Sequence, residues 1–425
     1  MDPATRGEWI RALTGLRDSS AGTGQLVFFE ERADLRVECR GGQQPPDVVP
    51  SCRAGVAVRD PSGIPQVYFS APRLEQPVPG STGFPIPIAA TGADLLRIFE
   101  RLSAALPAVP LRCRWVGFEQ TILIVPPGAP PVWERRSGRR IRIEAGDPAA
   151  VLERDLRAGA PDLAEAADIL GRRLDSLRSR EVLADGAYPA VFAAGTAGVL
   201  FHELVGHALE ADAVASGRSW LKELEAGVID PKWNVVDDPR RGRSPATLDD
   251  EGRSTRATPL LREGGVVSCL HDAVSARRQG SGGGGHGRVA TYRDPVLPRM
   301  TCTFQTAAHE SPMALVERVG DGVYVRRMES AYTDTRAGRA VFRVTDADRI
   351  VRGRCTRALA PFLLEILGRD LLAKPAHIGD DLAFDTCVGS CHKEGQPLVV
   401  SVGAPTIWTG VTRVRGSNGN ERGWK

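Results

Sequence analysis

The first third of the chain alternates short apolar runs with turn residues, a pattern typical of β-sheet. Residues 25–30, 55–58, 66–70 and 121–125 are rich in apolar and β-branched side chains, and each run predicts a strand. The tetrapeptide Asp-Pro-Ser-Gly at 60–63 separates the second and third runs. Because these residue types favour tight turns, the two flanking strands are predicted to form a hairpin.

Two stretches show helical rather than strand periodicity. In the first, leucine, isoleucine and phenylalanine recur at helical spacing from Leu95 to Leu106. Thr91 is positioned to cap the beginning of this helix, and Pro107 would end it. In the second, residues 150–180 combine many charges with regularly spaced leucines, which predicts a helical connection between two halves of the chain.

Strand-like runs return in the second half of the chain, separated by glycine-rich loops. They occupy residues 322–326, 340–344, 398–402 and 411–414. The whole pattern predicts an α+β protein of two domains. Residues 1–185 would form a mixed α/β sheet domain with its helical connector. Residues 186–425 would form a largely antiparallel β domain that carries one helix with a histidine motif.

Composition narrows the classes of partner. The 425 residues suffice for two domains of roughly 100–200 residues each. A net charge of +3 is too weak to favour nucleic acid or a membrane surface, and the arginine cluster at 135–142 is interpreted as a solvated turn between strands. No run approaches the ~18 apolar residues of a membrane span. The eight scattered cysteines show no disulfide spacing, which favours reduced thiols and a cytoplasmic location.

The residues suited to chemistry concentrate in the segment Leu-Phe-His-Glu-Leu-Val-Gly-His at 200–207. His202 and His207 bracket Glu203 on an otherwise apolar stretch. Neutral imidazoles are good zinc ligands, and a carboxylate beside the metal can take a proton from water. These residue types indicate a zinc site with Glu203 as the catalytic base. The alternative is structural, with one histidine buried as a polar core residue and the other exposed.

The spacing of the two histidines departs by one residue from the common zinc-peptidase motif H-E-x-x-H. At about 100° per residue, five steps along a regular helix turn the second side chain about 140° away from the first. Both histidines can reach one metal ion if the helix contains a widened π-type turn, or if it breaks near Gly206. Widened turns of this kind are frequent at functional sites.

This segment, His202-Glu203-x-x-x-His207 followed by Ala-Leu-Glu-Ala-Asp, resembles the signature of the TldD/PmbA family of metallopeptidases. The TldD branch of that family carries H-E-x-x-x-H, and the PmbA (TldE) branch lacks it. Three more blocks follow in the family's order. They are D-D-E-G at 249–252, G-H-G-R with P-R-M-T between 285 and 301, and C-H-K-E-G-Q with V-G-x-P-T between 391 and 406. The resemblance covers about residues 190–415.

The resemblance implies a third metal ligand, because the cysteine of the family's C-G-K-x-G-Q block completes the zinc site. That position is Cys391 in this chain. Two imidazoles and one thiolate leave a fourth position open, as a catalytic zinc requires. Cys387 and His392 lie nearby as alternatives, and His392 replaces the family's glycine. Glu210 and Asp212 would either orient a ligand imidazole or lie exposed on the next helical turn.

Some residues depart from the family's G-N-G-R-R and P-R-M-T-N blocks. His286 and Val289 replace an asparagine and an arginine, and Cys302 replaces the second asparagine. Arg288, Tyr292 and His286 are candidates to contact a substrate or its oxyanion. Arg288 and Tyr292 also have a purely structural interpretation.

The hypothesis that follows is a zinc-dependent peptidase. The resemblance implies that it acts on unfolded or small peptides in a closed cavity, in general proteolysis or in the maturation of a peptide natural product. It also implies a dimer, formed with a TldE/PmbA-like sister subunit or with itself. One alternative is a catalytically silent partner or scaffold subunit, which would be expected to have lost one of the four site residues. Another is a DNA-binding regulator, which the weak charge disfavours.

Overall fold

The computed structural model describes residues 3–19, 25–41, 46–70, 86–147, 149–156, 161–280, 284–385 and 390–416. It is a mixed structure of helices and extensive sheet, and the α+β prediction is confirmed. Cys387 and part of the glycine tract at 282–285 lie outside the described residues. The division into two domains after residue 185 stays a prediction.

The N-terminal half is built on one antiparallel sheet with the strand order β3-β2-β1-β4-β5-β6. Its strands are β1 (Leu26–Arg40), β2 (Asp47–Arg59), β3 (Pro65–Ser70), β4 (Leu111–Val125), β5 (Val132–Ala145) and β6 (Ala150–Asp155). Alternate residues of these strands point to one face, and three helices cover it. The helices are α1 (Pro3–Ser19), α2 (Ile88–Ala105) and α3 (Leu163–Leu177). The predicted hairpin at 60–63 is confirmed, and Gly63 N–H donates to the Asp60 carbonyl there.

The predicted helix over 150–180 is wrong in its first part. Residues Ala150–Asp155 form an edge strand whose Leu152 pairs with Ile143, and α3 begins after Asp162, which caps it. Alternation on the sheet, rather than helical spacing, explains the buried leucine. The cap predicted at Thr91 is also wrong, because α2 already begins at residue 88.

The arginine cluster at 135–142 is a regular part of β5 and not a turn. The strand buries Ile141 between its arginines, and Arg136 is itself buried. On the face opposite to Ile141, arginines pair with carboxylates, as Arg140 does with Glu153 on the neighbouring strand. Charge pairing across strands therefore allows a basic run to form a central strand.

Within its described residues, the C-terminal half contains many strands and five short α-helices. Its strands are β7 (Gly186–Phe192), β8 (Val235–Asp237), β9 (Thr258–Arg262), β10 (Gly265–Val266), β11 (Gly287–Arg288), β12 (Leu297–Pro298), β13 (Cys302–Gln305), β14 (Gly322–Asp334), β15 (Arg339–Val351), β16 (Arg354–Ala358), β17 (Phe362–Leu367), β18 (His377–Ile378), β19 (Ala383–Asp385), β20 (Ser390–Lys393), β21 (Gln396–Val399), β22 (Ser401–Ala404) and β23 (Ile407–Arg415). Its helices are α4 (Gly198–Phe201), α5 (Ala211–Ala215), α6 (Ala273–Arg278), α7 (Pro312–Val319) and α8 (Gly368–Ala373).

Two larger sheets form the core of this half. One has the order β14-β7-β23-β17-β15-β16, and β14 also pairs with β15, so that five strands close on themselves. The other has the order β10-β9-β8-β13-β22-β19. Most pairs are antiparallel, as predicted, while β14–β7 and β13–β22 are parallel. The predicted strand at 398–402 is divided at Val400, because β21 and β22 belong to different sheets.

The helical segment that follows β7 packs between these two sheets. Its apolar side chains, including Leu200, Phe201 and Leu204, are fully buried in the largest hydrophobic cluster of the protein's described part. The segment contacts β13, β14 and β22 along its length. Burial on both sides explains why residues 198–209 are almost uniformly apolar apart from the histidine motif.

The second face of the N-terminal sheet packs against loops of the C-terminal half. Phe28 and Ile122 lie there against Tyr292. A side chain at Gly55 would overlap the Tyr292 ring, so the close approach requires glycine. No helix among the described residues has the length and apolarity needed to cross a membrane.

Candidate metal centre

The histidine motif forms a widened helical turn. Helix α4 continues into a π-helical turn at His202–Gly206, which is followed by a 3-10 turn at His207–Leu209. The His207 N–H donates to the carbonyl of His202, five residues back instead of four. This extra residue in the turn brings the two imidazoles to the same side, edge to face with ring centroids 4.9 Å apart.

Two contacts stabilise the widened turn. Gly206 packs directly on Met300, and a methyl group at position 206 would overlap the Met300 sulfur. The indole Nε1–H of Trp220 donates to the carbonyl of Leu204 over 2.7 Å. Trp220 is buried, so this bond satisfies a carbonyl oxygen that water does not reach.

Strand β20 brings Cys391 to the two histidines. The Cys391 Sγ lies 3.3 Å from His207 Nε2, and one ligand atom from each of His202, His207 and Cys391 lies within 4.8 Å of the others. His202 and Cys391 are buried, and His207 is half-buried. His392 is exposed and is not part of this cluster.

Charged side chains next to the cluster form a network of hydrogen bonds with its ligands and with each other. His207 Nδ1 lies 3.0 Å from Glu210 Oε2, so the imidazole directs its Nε2 towards Cys391. Lys393 Nζ donates to Glu210 over 3.1 Å and to Asp212 over 2.7 Å. Arg299 donates to the carbonyl of Cys391 over 2.8 Å. The two chain segments that supply the cluster are thereby joined to each other.

The pKa shifts follow from burial and from these charges. Burial lowers the pKa of His207, but the negative charges of Glu210 and Cys391 outweigh burial and raise it well above the usual range. Burial raises the pKa of the Cys391 thiol, yet the positive charges of His207 and His202 lower it well below its usual range. Cys391 is therefore favoured as a thiolate, the form in which cysteine binds metal ions.

The residues present fit a metal ion. The Nδ1 atom of His202 is buried and has no hydrogen-bond partner among the described residues. Two imidazole nitrogens and one thiolate sulfur are a donor set typical of zinc, and three protein ligands leave a coordination position for water. His202, His207 and Cys391 would hold the ion.

Glu203 lies at a cavity of about 690 Å³ beside this cluster. Its Oε2 accepts a hydrogen bond of 2.6 Å from Thr333 Oγ1, which belongs to β14. The cavity walls include residues 328–333 of β14 and 390–394 around β20. The sequence gives no sign that Thr333 contacts Glu203, because the two residues lie 130 positions apart and Thr333 belongs to no recognisable motif.

The three predicted substrate contacts lie elsewhere in the described part of the chain, outside the walls of this cavity. Arg288 donates to the carbonyls of Met300 and Val399 and lines a second cavity of about 600 Å³. Tyr292 is buried against the N-terminal sheet, and His286 Nε2 lies 2.9 Å from the hydroxyl of Thr258. Their role in substrate binding stays a prediction.

The chain is similar to known proteins both in sequence and in fold. Residues 185–416 match the profile of the PmbA/TldA metallopeptidase C-terminal domain. The chain belongs to the TldD/PmbA family. Two solved structures share its fold. The structure of TldE from Thermococcus kodakarensis superposes with a TM-score of 0.75 at 12% identity, covering 97% of this chain and all of that one. A candidate modulator of a DNA gyrase from Thermotoga maritima superposes with a TM-score of 0.74 at 16% identity, covering 96% and 99%.

Curated relatives of this TldD/PmbA protein are named metalloproteases. The metalloprotease TldD homolog of Haemophilus influenzae is 31% identical over 236 residues, which are 55% of this chain and 49% of the relative. The zinc metalloprotease TldD homolog of Saccharolobus solfataricus is 27% identical over 225 residues, 52% of this chain and 50% of that one. The chain thus spans about half the length of the curated relatives it matches. Their names and the three-residue cluster support a metal cofactor.

Proposed function

We propose that this chain is a zinc-dependent peptidase with His202, His207 and Cys391 as ligands and Glu203 as the catalytic base. The observation that carries the proposal is the convergence of these four side chains at one cavity. The two histidines come from one helical turn and the cysteine from a distant strand. The names of the curated relatives support the same reaction class.

Each residue at the cavity has a defined task in peptide hydrolysis. A zinc ion bound there would polarise the scissile carbonyl and lower the pKa of a water molecule. Glu203 accepts the proton of the attacking water and returns it to the leaving amine. Because Thr333 donates to Oε2 of Glu203, Oε1 remains to take up that proton. Glu210 holds the Nδ1–H of His207 and keeps Nε2 as the ligand atom.

The cavity suits an extended peptide in an unfolded or small substrate. In the described part of the chain, β14 pairs with β7 only at residues 323–325, so the cavity-lining residues 328–333 have one unpaired edge. Strand β20 pairs with β21 on one side and lines the same cavity. A substrate backbone can add to such an edge through main-chain hydrogen bonds.

We further propose a cytoplasmic dimer, formed with a TldE/PmbA-like sister subunit or with a second copy. This dimer would act in proteolysis or in the maturation of a peptide natural product.

Metal content of the purified chain is the first test. Elemental analysis of wild type, His207→Ala and Cys391→Ala should give about one zinc per wild-type chain and none in either variant. A peptide-cleavage screen then compares wild type with Glu203→Gln, which should keep its zinc and lose about 10²- to 10⁴-fold in kcat. Absence of zinc from wild type, purified without chelator and with a sister subunit present, would contradict the proposal. The chain would then be better explained as a catalytically silent partner subunit.

A further inference from the structure

The contact between Thr333 and Glu203 joins two remote parts of the chain. Thr333 is half-buried on β14, and its Oγ1 donates to Oε2 of Glu203 over 2.6 Å. A threonine hydroxyl has a single hydrogen to donate, and here the carboxylate receives it. A hydrogen bond to a charged acceptor is short and strong enough to select one rotamer of the glutamate.

The backbone of β14 is irregular where it faces the cavity. Its register with β15 shifts three times, and the last shift lies between Ser330 and Tyr332. In a regular strand, consecutive side chains point to opposite faces. Here the six consecutive residues 328–333 all line the cavity. Bulges next to active sites can redirect side chains in this way, and Thr333, whose hydroxyl reaches Glu203, directly follows the last shift.

Trp220 fastens the hairpin of β14 and β15 to the widened turn. Its backbone N–H donates to the Thr335 carbonyl over 3.1 Å, and its indole donates to the Leu204 carbonyl over 2.7 Å. The indole also fills the space above Gly338, where an added Cβ would lie 2.6 Å from the ring. One buried residue is therefore bonded through its side chain next to Glu203 and through its backbone two residues from Thr333.

We propose that Thr333 is a positioning residue for Glu203. The two hydrogen bonds of Trp220 hold β14 and the widened turn at the distance that this contact needs. This inference rests on the proposed function, because it names what orients the catalytic base of that reaction. A catalytic group must be held within about 0.5 Å of its productive geometry, and a displacement of about 1 Å can cost about 100-fold in rate. Loss of the Thr333 hydroxyl is expected to lower kcat while leaving the metal ligands undisturbed.

Three variants of the full chain test the inference. Thr333→Val removes the hydroxyl at nearly constant volume, and Thr333→Ser retains it. Thr412→Val is the matched control, because Thr412 is also a strand residue whose hydroxyl makes one bond, to the Tyr188 carbonyl over 3.2 Å. For each protein we would measure kcat and KM on an unfolded peptide substrate, zinc content by elemental analysis, and Tm.

We expect Thr333→Val to lose about 10- to 100-fold in kcat with unchanged KM and zinc content. Thr333→Ser should stay within about threefold of wild type, as should Thr412→Val. An unchanged kcat in Thr333→Val, or a loss that follows its zinc content, would overturn the inference. Absence of cleavage by zinc-loaded wild type would instead contradict the proposed function.

Crystal structures of wild type and Thr333→Val provide a readout that does not depend on activity. The Glu203 carboxylate should occupy one position in wild type and leave it in the valine variant. If the Glu203 carboxylate keeps the same position in Thr333→Val, Thr333 does not position it. This conclusion holds whether or not the protein cleaves peptides.

Discussion

At the scale of single residues, Lys393 shows how strongly the cluster depends on side chains outside it. Its ammonium donates to Glu210, Asp212 and the carbonyl of Pro298, so all three of its hydrogens are used. Glu210 is almost fully buried, and a buried carboxylate without a partner is costly. Burial raises the pKa of Glu210, but the charges of His207 and then Lys393 outweigh burial and lower the pKa to about 2, so the carboxylate stays ionised beside His207. Such partners behind a ligand fix the orientation of its imidazole.

Replacement of Lys393 by methionine should weaken metal binding. Lys393→Met keeps the aliphatic stem but removes the charge that holds Glu210 and Asp212, so zinc affinity should fall about 10- to 100-fold. Competition with a chromophoric chelator measures this affinity. Lys374→Met is a suitable control, because Lys374 Nζ lies 3.5 Å from the carbonyl of Val411, remote from the cluster. Equal affinities for Lys393→Met and wild type would show that the charge network does not support the metal site.

At the scale of elements, the π-helical turn at His202–Gly206 converts an unfavourable histidine spacing into a shared site. Gly206 lets the turn approach the fully buried Met300. The turn costs regular helical hydrogen bonding, and it persists because tertiary contacts on both sides determine its shape. The widened turn, rather than a break at Gly206, is thus the arrangement that the fold selects.

Gly206→Ala should disturb this turn. Its methyl group would overlap the Met300 sulfur, and a buried methionine moves only with repacking, so the free energy of unfolding should fall by about 1–3 kcal/mol. Zinc content should fall as well. Urea denaturation and elemental analysis measure the two effects. Because Met300→Ala relieves the overlap but leaves a cavity of its own, the double variant should lose less stability than the sum of the two single variants.

Gly171→Ala serves as the control for the same chemical change. Gly171 lies within α3, where an added Cβ makes an ordinary contact of 3.7 Å with Leu106. Alanine is the better helix former, so this variant should be as stable as wild type or slightly more stable. A Gly206→Ala variant that matches Gly171→Ala in stability and zinc content would show that the turn tolerates the methyl group.

At the scale of the whole molecule, a buried acidic turn joins the N-terminal sheet to the C-terminal half. Asp250 Oδ1 accepts from Arg136 of β5 over 2.6 Å, and its Oδ2 accepts from the Val289 N–H. Gly252 packs on Ile124 and Val132 of the same sheet. The D-D-E-G sequence is therefore a structural junction between the halves.

Glu251 of this turn should make stability depend on pH. Burial, reinforced by the charges of Asp249 and Asp272, raises the pKa of its carboxyl, and the Ala273 N–H and Arg253 offset this only in part. The folded protein then binds more protons than the unfolded chain above the ordinary value of 4.5. Its free energy of unfolding should consequently decrease as the pH rises above that value.

Glu251→Gln should reduce this pH dependence. Glutamine keeps an oxygen to accept the Ala273 N–H but cannot ionise, so the variant should gain stability relative to wild type between about pH 5 and about pH 9. Urea midpoints measured at matched pH values compare the two proteins, and contributions from groups that do not interact with Glu251 cancel at each pH. Parallel curves for wild type and variant would mean that Glu251 does not titrate over this range.

The local features of this protein follow from its amino-acid sequence alone. Apolar and β-branched runs predicted strands at residues 25–30 and 121–125, which overlap β1 and β4, and turn chemistry predicted the hairpin at 60–63. The residue types of the histidine motif indicated a metal site, and the resemblance to a family supplied Cys391. Each of these features depends on neighbouring residues or on a motif with fixed spacing.

The remaining features depend on contacts between residues that are distant in the chain, and only the folded structure shows them. It made residues 150–155 a strand, placed Arg136 in an ion pair with Asp250, and brought Thr333 to Glu203. It also chose the π-helical turn, which the spacing had left as one of two alternatives. The physical reason is that burial and pairing across sheets outweigh local preference, and a linear pattern carries no record of which strands will become neighbours.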